Sequence, residues 1–265
     1  MWAGGFGSFM NVSGNDGFTS DGAGYAFGLN HAFSTNMQAG VGLGQSFGNY
    51  HNKALTGAKV HQKGMMAAAT AQYMSGKGGS FMLSGHAAVG SVRNNADTYL
   101  GGLAGKSRWD DTVLSLGARA SYAMHVTVDT VIAPFIGMEW MYGSQESFSD
   151  SHGRRYSNGK LSELRMPVGV TLRSSATIGS DTTLLPELSV AYMPSLVQDN
   201  PHADATVQGG SYRTEGYDPG RHGFMLNAGM NVLFSESWSA GAFYTLETRK
   251  HAVNQSVNAS LQYRF

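Results

Sequence analysis

Apolar and polar side chains alternate with period two through most of this chain, the pattern of strands with one apolar face. At the C-terminus Val257, Ala259, Leu261, Tyr263 and Phe265 alternate with Ser256, Asn258, Ser260, Gln262 and Arg264, which predicts a strand running to the last residue. The same alternation gives Trp238 to Leu246, Phe224 to Phe234, Leu184 to Tyr192, Leu164 to Leu172, Ile132 to Tyr142 and Leu114 to Met124. Earlier segments are richer in glycine. Their apolar faces carry Phe81, Leu83, Ala87 and Val89; Met65 to Tyr73; Met37, Ala39, Val41 and Leu43; Tyr25, Phe27 and Leu29; and Trp2, Phe6 and Met10. The pattern therefore predicts twelve strands.

The connections alternate as well. Short turns are expected at Ser34 to Asn36, Gly76 to Gly79, His125 to Val128, Ser174 to Asp181 and Ser235 to Ser237. Longer polar segments separate them at residues 13–20, 48–60, 93–108, 143–160 and 194–222, with a smaller one at 249–254. Short turns at one end and long loops at the other are the plan of an outer-membrane barrel. Hydrocarbon supplies no hydrogen-bond partner, so the first and last strands must pair and close the sheet. An even strand number puts both termini on the short-turn side, expected to be periplasmic. Trp140, Tyr142, Tyr192, Trp238, Tyr244, Tyr263 and Phe265 lie near the ends of apolar faces, where interfacial girdles belong. No ionisable side chain falls in the middle of such a face, where an Arg would cost roughly 2–4 kcal/mol.

Composition narrows the fold to an all-β, twelve-stranded antiparallel transmembrane barrel. Charged residues are 14% of the chain, too few for a water-facing exterior. A lipocalin-like soluble barrel needs only eight strands and would leave Gly, Ser, Thr and Asn outside. No run approaches the roughly 20 apolar residues of a membrane helix. A formal net charge of zero argues against nucleic acid as a partner. With no Cys there is neither a disulfide scaffold nor a thiol nucleophile, and the nine His lack ligand spacing, so no cofactor or metal is expected. No secretory signal opens the chain, so any signal is expected upstream.

The closing segments, PELSVAYMPSLV at residues 186–197 and GFMLNAGMNVLFSESWSAGAFYTLETRKHAVNQSVNASLQYRF after a long polar loop, resemble the translocator domain of autotransporters. The opening WAGGFGSF resembles that family's first strand, so the resemblance spans one domain over residues 1–265. It implies a monomeric outer-membrane barrel, in contact with outer-membrane lipid, that supports secretion and surface display of an N-terminal passenger. A linker helix just upstream of the first strand would occupy the pore. Leu261, Tyr263 and Phe265 match the terminal signal read by the outer-membrane barrel assembly machinery. Gly5, Gly7, Gly24, Gly28, Gly40, Gly42 and Gly44, opposite the apolar faces, would let a segment approach the pore wall, or simply relieve strain in a curved sheet. Charged pore-lining candidates are Arg119, Glu139, Glu163, Arg165, Arg173, Glu187, Glu247 and Arg249, whose simplest role is mutual pairing. Some members of the family cleave their linker with lumen carboxylates, a role open to Glu139, Glu163 and Glu187.

Other functions leave weaker marks. The segment HGRRYSNGK brings His152, Ser157 and Asn158 together, superficially like an outer-membrane phospholipase, but nucleophile and base lie five residues apart in an expected loop. A wide porin needs more strands. An adhesin would use the loop at 194–222, with Tyr212, Arg213, Tyr217 and Arg221, although long outside loops are what the fold produces anyway.

Overall fold

The computed structural model describes residues 1–14, 17–53, 59–76, 80–100, 103–179, 181–199, 202–207, 210–215 and 218–265. Among these there is no helix. The strands are β1 (Trp2–Val12), β2 (Phe18–Ala32), β3 (Met37–Asn52), β4 (Lys59–Ser75), β5 (Phe81–Leu100), β6 (Leu103–Tyr122), β7 (Met124–His125), β8 (Thr130–Gln145), β9 (Phe148–Ser149) and β10 (Arg155–Tyr156). They continue with β11 (Gly159–Arg165), β12 (Val168–Ser174), β13 (Ala176–Ile178), β14 (Thr182–Asp199), β15 (His202–Val207), β16 (Gly210–Glu215), β17 (His222–Leu233), β18 (Trp238–Arg249) and β19 (Ala252–Tyr263).

Neighbouring strands pair antiparallel in an unbroken circuit. β1 to β6 follow one another, then β8, then β11 and β12 sharing one position, then β14, β17, β18 and β19, which returns to β1. That is a closed barrel of twelve strand positions. The seam is fully laddered from Trp2 opposite Gln262 to Val12 opposite Ala252, and the Met1 amino group donates to the Tyr263 carbonyl at 2.8 Å. Closure leaves no unpaired edge in the part of the sheet that must lie in hydrocarbon.

The barrel turns its apolar side outward. Val41 is 62% exposed and Met65 70%, with Tyr25, Phe27, Leu43, Leu116, Ile136 and Val190 exposed around the wall. The interior holds a small apolar cluster of Phe135, Ala191 and Met193, with Met225 packed against it, amid polar side chains. On β4 the outward series runs from Tyr73 through Ala71, Ala69 and Ala67 to Met65, and Lys63 is the next outward residue. Nine tilted residues cover roughly the 25 Å of an outer-membrane apolar band.

The face of β1 is reversed from expectation. Trp2 pairs with Gly28 and Phe6 with Gly24, so Trp2, Phe6 and Met10 point inward, while Gly5 and Gly7 share the outer face with Tyr25 and Ala23. A Cβ on Gly28 or Gly42 would meet the Trp2 indole at 2.6 or 2.8 Å. Glycines of the neighbouring strands thus make room for aromatic rings inside. Alternation alone cannot tell which face of so glycine-rich a strand is buried.

Several expected loops are strand. β3 runs to Asn52, β4 begins at Lys59, and β5 and β6 pair as far as Leu100 with Leu103. Cross-strand pairing satisfies their backbones, and inward polar side chains pair with one another: Asn94 is fully buried, accepting from Gln62 at 2.8 Å and donating to Asp111 at 2.7 Å. The short turns sit where expected at residues 33–36, 126–129 and 234–237; residues 77–79 of the turn at Gly76 to Gly79 lie outside those described, and the segment expected as a turn from Ser174 to Asp181 holds the short strand β13, paired with β14. The expected strand through Leu164 to Leu172 breaks between Arg165 and Val168, because Pro167 has no N–H to give the ladder. The Gly137 amide bonds to the Pro167 carbonyl at 2.8 Å and Met166 to Pro194 at 3.0 Å, so the wall stays closed across the break. β19 ends at Tyr263, two residues short of the expected strand end at the C-terminus, and Phe265 lies beyond the ladder with 87% exposure.

At the long-loop end, β9, β10, β15 and β16 form a separate four-stranded sheet. Trp109 of β6 stacks on Phe148 at 4.4 Å between centroids, and Phe148 on Tyr156 at 4.6 Å, which ties this sheet to the barrel rim. The turn between β9 and β10 closes on Asp150. Its carboxylate accepts from the amides of His152 and Arg154 at 2.9 and 3.0 Å and from the Arg154 guanidinium. Burial works against the charge, but these donors outweigh it and hold the carboxyl below the usual carboxylate range.

Candidate functional site: the charged interior of the barrel

Inward positions alternate with outward ones along each strand, so Glu163 and Arg165 of β11, Glu247 and Arg249 of β18, and Glu139 of β8 project into one interior. They form a single network. Arg249 Nη1 lies 2.7 Å from Glu163 and its Nε 3.0 Å from Glu247. Arg165 reaches Glu247 at 3.0 Å, Glu139 at 3.4 Å and Glu163 at 3.9 Å. Ser195 of β14 donates to Glu163. The Arg249–Glu163 contact spans the two strand positions between β11 and β18. Gly223 of β17 stands directly opposite Arg249. The two side chains are 8% and 9% exposed.

A second group lies nearer the short turns. Arg173 pairs with Glu187 at 2.6 Å, and Arg119 donates to Thr171 at 2.9 Å while its guanidinium lies 3.5 Å from the Phe135 ring centre. Thr171 is fully buried and shares a 2.8 Å hydrogen bond with Ser189. Two cavities flank these groups. One of about 320 Å³ is lined by Gln38, Thr70, Gln72, His86, Arg119 and Glu139 among others; one of about 490 Å³ opens beside Glu163, Arg165, Glu247, Arg249 and Asp199.

All eight sequence candidates are thus placed, seven in ion pairs and Arg119 on a hydroxyl and a ring. Ser195, Thr171, Ser189, Phe135 and Met193 were missed. Counting the alternation inward finds their phase, yet their meeting depends on cross-strand register, which spacing within one strand does not encode. Leu261 faces outward, and Tyr263 packs on Trp238 at 4.9 Å and Phe265 at 5.2 Å between centroids.

His152 and Ser157 have local roles. The Ser157 hydroxyl accepts from the Asp204 amide at 2.9 Å, and His152 sits in the turn capped by Asp150. These are sheet and turn contacts rather than a nucleophile and base in contact. Of the loop residues considered for adhesion, Tyr217 and the side chains of Tyr212 and Arg213 lie outside those described. Among the described residues no group of His, Asp and Glu has the arrangement of a metal site.

The fold is shared with solved translocators. The chain superposes over its whole length on the translocator domain of the autotransporter NalP from Neisseria meningitidis, with TM-score 0.78, 16% identity and 87% of that chain covered. The β domain of the Bordetella autotransporter BrkA gives 0.70, 15% and 98%, and the transport unit of AIDA-I from Escherichia coli gives 0.73, 12% and 90%, each over the full chain. Among curated sequences, the probable outer membrane proteins pmp1 and pmp11 of Chlamydia pneumoniae are 26% and 29% identical over 136 residues. That alignment covers 50% of this chain and 14% of either relative, so the chain matches only a small part of their length. Residues 1–245 match the autotransporter beta-domain family, and the chain belongs to it: it is an outer-membrane β-barrel translocator domain.

Proposed function

We propose that residues 1–265 act as one unit, a monomer that anchors and exports an upstream passenger whose connecting segment lies in the barrel interior. Both termini would then face the periplasm and the four-stranded sheet the cell exterior. The observation that carries this is the asymmetry of the interior. Inside the wall from β2 to β3 no described side chain is charged, and the Phe6 and Trp2 rings lie over Gly24, Gly28 and Gly42; the facing wall presents the Arg and Glu network, and cavities lie between them. An uncharged wall facing fixed charges suits a peptide with its own polar backbone, and each Arg and Glu of the network already has a partner, so a passing segment meets no unpaired charge there.

Leu261, Tyr263 and Phe265 serve in this reading as the recognition signal for the barrel assembly machinery. Their outward placement at the seam, beside the short turns, supports it. The test is single-channel conductance of the refolded chain in a planar bilayer, with and without a peptide matching the native segment upstream of Met1. Modest conductance blocked by the peptide supports the reading; conductance indifferent to it counts against a segment in the pore.

A further inference from the structure

The outer surface carries a basic patch at the upper edge of its apolar band, on β4, β5 and β6. Lys63 stands directly opposite Arg93, and Arg93 opposite Asp110. One outward step toward the loops, His61 stands opposite Asn95 and Asn95 opposite Arg108. Six side chains therefore form a grid two rows deep and three strands wide, at the roughly 5 Å spacing of cross-strand neighbours. Its one carboxylate, Asp110, is engaged by Arg93 at 3.1 Å. Asn49 donates to Asp21 at 3.0 Å and accepts from His61 Nδ1 at 2.8 Å, which fixes the ring and leaves its other nitrogen facing away from that amide.

Like charges directly opposite on a sheet are destabilising unless something lies between them. Two strand positions further round the barrel, Lys160 of β11 stands opposite Ser144 of β8, which stands opposite Thr112 of β6, so this lysine has no basic neighbour across either of those pairs. Immediately below the grid the outward rows become Met65 and Ser91, then Ala67 and Val89, then Ala69 and Ala87, mostly small apolar side chains continuous with the band.

We propose that this grid binds the phosphorylated headgroup of a membrane lipid, its phosphate held between Lys63, Arg93 and Arg108 and its acyl chains lying along the apolar rows below, Ala67 with Val89 and Ala69 with Ala87. Charge complementarity selects the phosphate. The apolar surface directly beneath it selects a lipid over free phosphate. The inference rests on the outer face being lipid-covered.

The test is native mass spectrometry of the refolded chain in uncharged detergent, titrated with diphosphoryl lipid A, with the same lipid dephosphorylated, and with inorganic phosphate as competitor. Heat-modifiable migration first checks that each sample is a detergent-inserted barrel; a chain that stays soluble without detergent would sink the membrane reading itself. We expect one tightly held lipid per barrel, weakened at least tenfold by dephosphorylation and by the double substitution Lys63→Ala, Arg93→Ala, and unchanged by Lys160→Ala. Equal binding by the parent and the double variant, or by both lipids, overturns the proposal. So does displacement by inorganic phosphate at the lipid's own concentration, which would mean a headgroup site with no lipid preference.

Discussion

Replacing Arg249 by Met tests whether the interior network holds the barrel together. Arg249 contacts two carboxylates, Glu163 at 2.7 Å and Glu247 at 3.0 Å, and is 8% exposed. Removing one partner of a buried pair costs about 3–5 kcal/mol, because the remaining charge is stranded. The network borders a cavity of about 490 Å³ that water can enter, so the low end, about 3 kcal/mol, is expected. That is roughly a hundredfold change in the unfolding equilibrium. Glu163→Gln in the same chain should restore part of the loss, since it removes the stranded charge while keeping a partner for Ser195. Arg173→Met is the control: its pair with Glu187 is 44% exposed on the Arg side, and such pairs contribute at most about 1 kcal/mol. The assay is urea unfolding of the refolded barrel in detergent, followed by heat-modifiable migration. Equal shifts for Arg249→Met and Arg173→Met, or a double variant as unstable as the sum of its parts, would refute the argument.

Three further outcomes are expected. Gly169→Ala should cost about 2 kcal/mol in the same unfolding assay, because the new Cβ overlaps the Val190 carbonyl and the Phe135 ring, whereas Gly117→Ala, which meets only the movable His86 ring, should cost clearly less. Deleting Phe265, which lies off the ladder and is 87% exposed, should leave refolded stability within about 1 kcal/mol of the parent while lowering assembly in cells; loss of stability instead would make it a structural residue rather than a signal. Because the folded Asp150 carboxyl titrates below the unfolded one, its contribution is complete above about pH 4 and is lost as pH falls through the lowered value. Amide exchange at Arg154 and Tyr156 should therefore rise in acid, and Asp150→Asn should flatten that response; an unchanged acid response in Asp150→Asn would refute the assignment.

Period-two patterning was enough to count twelve strands, to place the short turns at residues 33–36 and 234–237, and to bring first and last strands together. The reason is that hydrocarbon enforces a one-sided code: each outward residue on β4 from Tyr73 to Met65 must be apolar, and no backbone group in the band can go unpaired. The same logic gave the eight charged inward candidates, since an Arg or Glu opposite an apolar face has only the interior to enter. Where the code relaxes, legibility fails. On β1 glycine and aromatic residues fall on both faces, Gly4 with Trp2 and Phe6, and Gly5 and Gly7 with Phe9, and only pairing with Gly24 and Gly28 shows that Phe6 and Trp2 point inward. Beyond the band, both faces of β5 and β6 carry polar residues, Arg93 and Asn95 outward and Asn94 inward, so polar strand and polar loop read alike until the ladder to Leu100 is seen. The joining of Arg249 to Glu163, and of Lys63 to Arg93, was decided by tertiary structure alone. Both depend on register and barrel curvature, which bring together residues 86 and 30 positions apart, and no local pattern carries that information.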